Sequence, residues 1–126
     1  MNIPSNLKYT KTHEWVETLD DGSVRIGITD HAQDQLGDLV YINLPGEGDA
    51  VEAGEAFGDV ESVKAVSDLF CPVSGTVRAV NTELQDAPET MKKAPYEAWI
   101  IEVENVTGTE ELLDAEAYQA LCEQEG

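Results

Sequence analysis

The chain has 126 residues, with 26 acidic against 7 basic side chains and a formal net charge of −19. That length fits one domain, residues 1–126, around one modest core. The charge repels phosphate backbones and anionic lipid surfaces, so nucleic-acid and membrane partners are excluded, and no apolar run reaches membrane-spanning length.

The opening Met1-Asn2-Ile3-Pro4-Ser5-Asn6 has neither the basic start nor the apolar stretch of a signal peptide, and a cytoplasmic protein is expected. After the Asp20-Asp21-Gly22 turn, Val24, Ile26 and Ile28 alternate as in a half-buried strand. A short helix is expected over Asp30 to Leu36, with Asp30 as cap, Gln33 at the third position and Gly37 as the stop. Val40, Ile42 and Leu44 then alternate as a second inward-facing set. Turns follow at 45–49, at Ala53-Gly54-Glu55 and at Pro72-Val73-Ser74-Gly75, where Pro presets φ and Gly accepts positive φ. Val77 with Ala79, and the Trp99-Ile100-Ile101 run ending at Val103, read as further strands. At the end, Thr109 caps a turn holding Leu112 and Leu113, and Asp114 caps a helix with Tyr118, Leu121 and Cys122 on one face. That helix is expected to cover an open end of the fold. Many short strands with two short helical segments predict a mainly β protein, a small sandwich or flattened barrel.

Cys71 and Cys122 fall in no metal-ligand spacing and form no Cys-x-x-Cys pair, so both are read as small buried hydrophobes. His13 and His31 are read as packed or hydrogen-bonded residues rather than bases. No Ser-His-Asp set, phosphate loop or metal cluster is evident, which argues against an independent enzyme.

The informative stretch runs from Phe57 to Phe70, two apolar-rich arms around Lys64, which is the only lysine between Lys11 and Lys92. If the arms pair as a hairpin, a turn near Val63-Lys64-Ala65 lifts the lysine to its tip, with Glu61 and Asp68 at the shoulders. A lysine there is open to a modifying enzyme without unfolding of the chain. Exposure matters more than reactivity, because removing the amine proton falls to that enzyme. Glu61 and Asp68 are therefore assigned to recognition and arm positioning.

The segment Glu61-Ser62-Val63-Lys64-Ala65-Val66-Ser67-Asp68 resembles the lipoyl-attachment signature of glycine cleavage H proteins, with Lys64 matching the modified lysine. Biotinyl carriers carry Met on both sides of the lysine, where Val63 and Ala65 stand here. Lipoyl domains of 2-oxo acid dehydrogenases carry Asp-Lys-Ala, from which Val63 departs. The resemblance extends along the chain through Leu7 to Thr10, His13 to Val16, Gly27 to Gln33, Leu36-Gly37-Asp38, Pro72 to Gly75, Pro95-Tyr96 and Leu112-Leu113 with Tyr118.

This resemblance implies the hybrid motif of lipoyl and biotinyl carriers as fold, and lipoate on Lys64 as covalent cofactor. It also implies three catalytic partners. The pyridoxal-phosphate P protein (glycine decarboxylase) loads an aminomethyl group, the T protein (aminomethyltransferase) passes its carbon to tetrahydrofolate, and the L protein (dihydrolipoamide dehydrogenase) reoxidises the dithiol. A lipoate ligase or lipoyl transferase attaches the arm. A monomer that docks transiently suits a carrier visiting several sites. By the same resemblance Thr12 and Glu14, with Asp68, line a cleft that shelters the loaded arm from water and bonds its cationic amine. The chain departs from the family pattern at 90–99, where Ala94 replaces the common asparagine before Pro95-Tyr96 and Glu97-Ala98-Trp99 lacks the glycine of the common Gly-Trp pair. An alternative is an H-like protein that stores or relays lipoyl groups for other pathways; a third is a structural relative that is never modified.

Overall fold

The alternating segments become strands because their apolar sides can be buried only against a second sheet. This computed structural model describes residues 2–125. In chain order the elements are β1 (Lys8–Tyr9), β2 (Glu14–Thr18), β3 (Val24–Ile28), α1 (Asp30–Leu36), β4 (Leu39–Asn43), β5 (Ala50–Val51), β6 (Ala56–Ser62), β7 (Val66–Phe70), β8 (Val73–Val80), α2 (Glu83–Asp86), α3 (Thr90–Lys93), β9 (Ile101–Thr109) and α4 (Ala115–Glu125). They form a six-stranded sheet in the order β1-β2-β3-β9-β8-β5 and a three-stranded sheet in the order β4-β6-β7. Every pairing is antiparallel. The result is the expected β-sandwich.

Between the sheets lies one continuous cluster that includes Ile26, Ile42, Val60, Val77, Ile101 and Val103. Each fully buried aliphatic side chain of this kind is worth roughly 1.5–3 kcal/mol against leaving it in water. Cys71 belongs to this core as read, and burial pushes its thiol up to about 11, so it stays protonated and inert at neutral pH. A second cluster of Leu7, Tyr9, Trp15, Tyr118 and Cys122 forms where α4 covers the N-terminal strands, as the C-terminal periodicity predicts. Trp15 pairs with Gly27 across β2 and β3, and a Cβ on Gly27 would sit 2.5 Å from the indole. The bare glycine is what lets the ring lie flat on the sheet.

Several expectations are corrected. Helix α1 spans the predicted residues, but its N-cap is Thr29, whose Oγ1 accepts from Ala32 N at 3.2 Å, while Asp30 is already helical. Gln33 then lies one position too late for a capping box, and its Nε2 bonds Asp30 Oδ1 at 2.7 Å instead. In β4 the inward residues are Leu39 and Ile42, not Val40, because a register shift between Leu39 and Tyr41 breaks the alternation. The expected Pro72–Gly75 turn is the start of β8, with Gly75 taking a position where Glu104 O would lie 2.5 Å from a Cβ. Thr109 ends β9 rather than capping a turn, and Leu113 forms a bridge to Tyr9. Asp114 does cap α4, accepting from Ala117 N at 2.8 Å. The one-turn helices α2 and α3 are additional to the two predicted helical segments. Among the described residues, no helix is long and apolar enough to cross a membrane.

Candidate functional site

Strands β6 and β7 pair with Glu61 opposite Val66 and Asp59 opposite Asp68, which leaves Val63 and Lys64 at the turn. Among the described residues, positive φ outside glycine is confined to His13 and Asn105, so the turn is not of the type that requires left-handed central residues. Ser62 closes it instead. Its N–H donates to Ala65 O at 2.8 Å, and its Oγ accepts from Lys64 N at 3.2 Å and Ala65 N at 3.1 Å while donating to Ala65 O at 3.1 Å. A hydroxyl substituting for backbone partners allows β-branched Val63 to sit in the turn without strain.

The tip is also anchored from beneath. Val63 N–H donates to Asp38 O at 3.0 Å, and Asp38 Oδ1 accepts from Lys92 Nζ at 2.8 Å, linking the turn to α3. The side chain of Lys64 leans over Gly37, where a Cβ would lie 3.5 Å from Cε and 3.8 Å from Nζ. Lys64 is exposed, and none of the ion pairs among the described residues involves it. Glu61 is half-buried and Asp68 exposed, on opposite strands of the hairpin. Around the lysine stand Val63 at 67%, Val66 at 62%, Val40 at 52% and Tyr41 at 41% exposure, the large apolar residues most open to solvent. Together they leave apolar surface open on β4 and the hairpin. Sequence reasoning missed its Val40 component because the β4 bulge is not visible in the pattern.

Thr12 and Glu14 lie side by side. Glu14 Oε1 accepts from Thr10 Oγ1 at 2.7 Å and from Thr12 Oγ1, and Glu14 Oε2 accepts from Phe70 N at 3.4 Å. Glu14 is therefore tied to the last residue of β7, on the same face of that strand as Asp68 two residues earlier. No direct contact joins Asp68 to Glu14. Burial pushes the Glu14 carboxyl up to about 7, overcoming the opposing pull of the Thr12, Thr10 and Phe70 donors. Thr10, the third member of this set, gave no signal of its own in the sequence.

The atypical loop after α3 packs rather than projects. Pro95 O accepts from Trp15 Nε1 at 2.9 Å, and Tyr96 OH accepts from Asp30 N at 3.1 Å and donates to Asn2 O at 2.5 Å. His13 is hydrogen-bonded through both ring nitrogens, to Tyr118 OH at 2.7 Å and Glu125 Oε1 at 2.9 Å, as read. His31 is buried, but its Nε2 has no hydrogen-bond partner. His13, His31 and Cys122 converge, with ligand atoms all within 4.8 Å of one another. They are far apart in sequence, so no spacing could have revealed this.

Two packed antiparallel sheets that hold a lysine at the tip of a closed hairpin define a carrier domain of the β-sandwich type. The family model described as glycine cleavage H-protein matches residues 7–125. A glycine cleavage system H protein from Chromohalobacter salexigens is 54% identical over 127 residues, covering 98% of this chain and 97% of that protein. One from Lachnoclostridium phytofermentans is 51% identical over 125 residues, covering 99% and 98%. The crystal structure of a glycine cleavage system H protein from Mycobacterium marinum superimposes with a TM-score of 0.88 at 44% identity, covering 98% of this chain and 99% of that one. The chain belongs to the glycine cleavage H-protein family.

Proposed function

We propose that this chain is the lipoyl-carrying shuttle of the glycine cleavage system, with lipoate in amide linkage to Lys64. The observation that carries the reading is an exposed lysine at a hairpin tip fixed from two sides, by Ser62 within the turn and by Asp38 below it. The Lys64 side chain is exposed and lies over the bare Gly37, which leaves room for an acyl group on the Nζ. The lipoyl disulfide, when attached, supplies the thiol–disulfide chemistry by which an aminomethyl group is taken from the P protein and offered to the T protein, the dithiol then passing to the L protein. Everything else is the work of this chain's residues.

Glu61 and Asp68 flank the tip and mark it for the lipoate ligase or lipoyl transferase. The Val40, Tyr41, Val63 and Val66 patch gives each partner an apolar footing, and the net charge of −19 steers approach toward basic partner faces. Asp68 and Phe70 lie on one face of β7, leading from the tip to the Glu14 site. A carboxyl already stripped of water and held near 7 gains strongly from a cationic amine, which replaces its proton. Thr12 and Glu14 thus hold the carried amine away from water. The chain acts as a non-catalytic monomeric carrier of one domain, residues 1–126, in the cytoplasm.

Mass spectrometry of the chain isolated from its native host tests this directly. The expected result is a lipoyl adduct on the peptide containing Lys64 and none in a Lys64→Arg variant, which folds with unchanged stability because the side chain is exposed. An unmodified Lys64 peptide in cells that lipoylate other proteins would overturn the assignment.

A further inference from the structure

The His13, His31 and Cys122 cluster beneath α4 is used by nothing in the carrier reading. Cys122 and Glu125 lie three residues apart on α4, so they share one helical face. His31 lies in the first turn of α1, and His13 in the loop before β2 with φ of 72°, a left-handed conformation rare outside glycine. That backbone is pinned by His13 N donating to Thr10 O at 3.2 Å and by Thr29 N donating to His13 O at 3.1 Å. The two imidazoles pack with centroids 4.5 Å apart. Glu125 Oε1 lies 2.9 Å from His13 Nε2 and 3.8 Å from His31 Nε2.

The telling feature is His31 Nε2, closed off from solvent and without a hydrogen bond. Buried polar atoms are nearly always partnered, and an orphan facing a thiol, a second imidazole and a carboxylate has a cation as its natural complement. We infer that His13 Nε2, His31 Nε2, Cys122 Sγ and Glu125 Oε1 form a four-ligand site for one divalent transition-metal ion of the zinc class. Two nitrogens, one sulfur and one oxygen suit zinc or cobalt and are wrong for calcium or magnesium, which take oxygen ligands. Tetrahedral bonds of ~2.0–2.3 Å place such ligands roughly 3.3–3.8 Å apart, so the spread of up to 4.8 Å among the His13, His31 and Cys122 atoms requires a contraction of about 1 Å in their widest pair, with Glu125 Oε1 already 2.9 and 3.8 Å from the two Nε2 atoms.

The thiol proton leaves to solvent as the metal–sulfur bond forms, and thiolate plus carboxylate balance the dipositive charge. An outer shell is already built. His13 Nδ1 meets Tyr118 OH at 2.7 Å, and that hydroxyl meets Thr29 Oγ1 at 2.6 Å. The 2.9 Å bond to Glu125 places a proton on Nε2 in the metal-free chain; on binding, the imidazole changes tautomer, Nδ1–H donates to Tyr118 OH, and Nε2 gains the lone pair that a metal needs. The Glu125 side chain is 37% exposed and supplies the way in, while the His31 side chain is 10% exposed and seals the far side. A bound ion would join α4, the start of α1 and the loop before β2.

Cobalt(II) and zinc(II) titrations of the full chain test the site, run also on a Lys64→Arg chain so that no sulfur on an attached arm contributes. We expect one cobalt per chain, with a thiolate-to-cobalt charge-transfer band and intense tetrahedral visible bands that zinc bleaches, and a zinc-dependent rise in Tm. Cys122→Ser removes the charge-transfer band and weakens binding by more than about 100-fold, beyond the usual effect of losing an outer-shell partner. Glu125→Gln, at the exposed rim where folding is not at risk, weakens it by about 10-fold or more. A wild-type chain without the charge-transfer band, or a Cys122→Ser chain that folds and binds zinc as tightly as wild type, overturns the inference.

Discussion

At the hairpin, valines face solvent while a serine holds the turn; beneath α4, His31 and Thr29 are buried while Tyr9 and Tyr118 stack on each other. Ser62 reaches residues two and three positions away. Tyr118 reaches His13 and Thr29 across 105 and 89 residues and stacks on Tyr9 with centroids 4.7 Å apart. The turn that carries Lys64 is exposed and closed by its own residues, while Val60 and Leu69 of its arms belong to the core. The region under α4 joins both ends of the chain, and so it contributes much to stability. Because the turn is closed by its own residues, changes at Lys64 stay apart from the contacts under α4.

Tyr118→Ala should break the supporting side of this contrast most strongly. It removes a fully buried ring and the hydroxyl shared by His13 and Thr29, at a cost of about 3–5 kcal/mol. Urea denaturation measures the loss, while lipoylation of Lys64 in the chain that remains folded should continue, because the turn is closed by its own residues.

Glu14 stands between the two regions and sharpens the comparison through pH. Burial raises its carboxyl from the ordinary 4.5 to about 7, so between those values the native state holds a proton that the unfolded chain has released. The contribution is fully present below about 4.5 and is lost as pH rises through 7, a change of about 3 kcal/mol. Glu14→Gln lacks this titration. The stability of wild type relative to the variant should therefore fall between pH 5 and pH 7.5, as followed by urea midpoints at each pH; a constant difference would remove the buried-proton account.

Ser62→Ala gives the smallest effect. It deletes hydrogen bonds at an exposed turn, costing about 0.5–1.5 kcal/mol, and the loss stays local. Amide exchange at Lys64 and Ala65 should accelerate while that at Tyr118 is unchanged, and lipoylation of Lys64 should slow.

Much of the sandwich was legible because period-two alternation needs only local pattern, as in Val24, Ile26 and Ile28. The hairpin around Lys64 was legible for the same reason, since its arms are adjacent in sequence. Where a bulge intervenes, the local pattern misleads: alternation places Val40 inward though it lies outward, and the Pro72–Gly75 composition suggests a turn where Gly75 lies within β8. Helices α2 and α3 are single turns, too short to show a period.

By itself, then, the sequence determined the strands, the α1 and α4 segments, the acidic surface and the lysine at a turn, because each rests on residues within a few positions of one another. Only the tertiary structure decided that Glu14 is buried against Phe70, that Asp38 and Lys92 support the tip, and that His13, His31, Cys122 and Glu125 face one another. These contacts join residues separated by tens of positions, and a linear pattern carries no information about which distant segments the packing of two sheets and a closing helix will bring together.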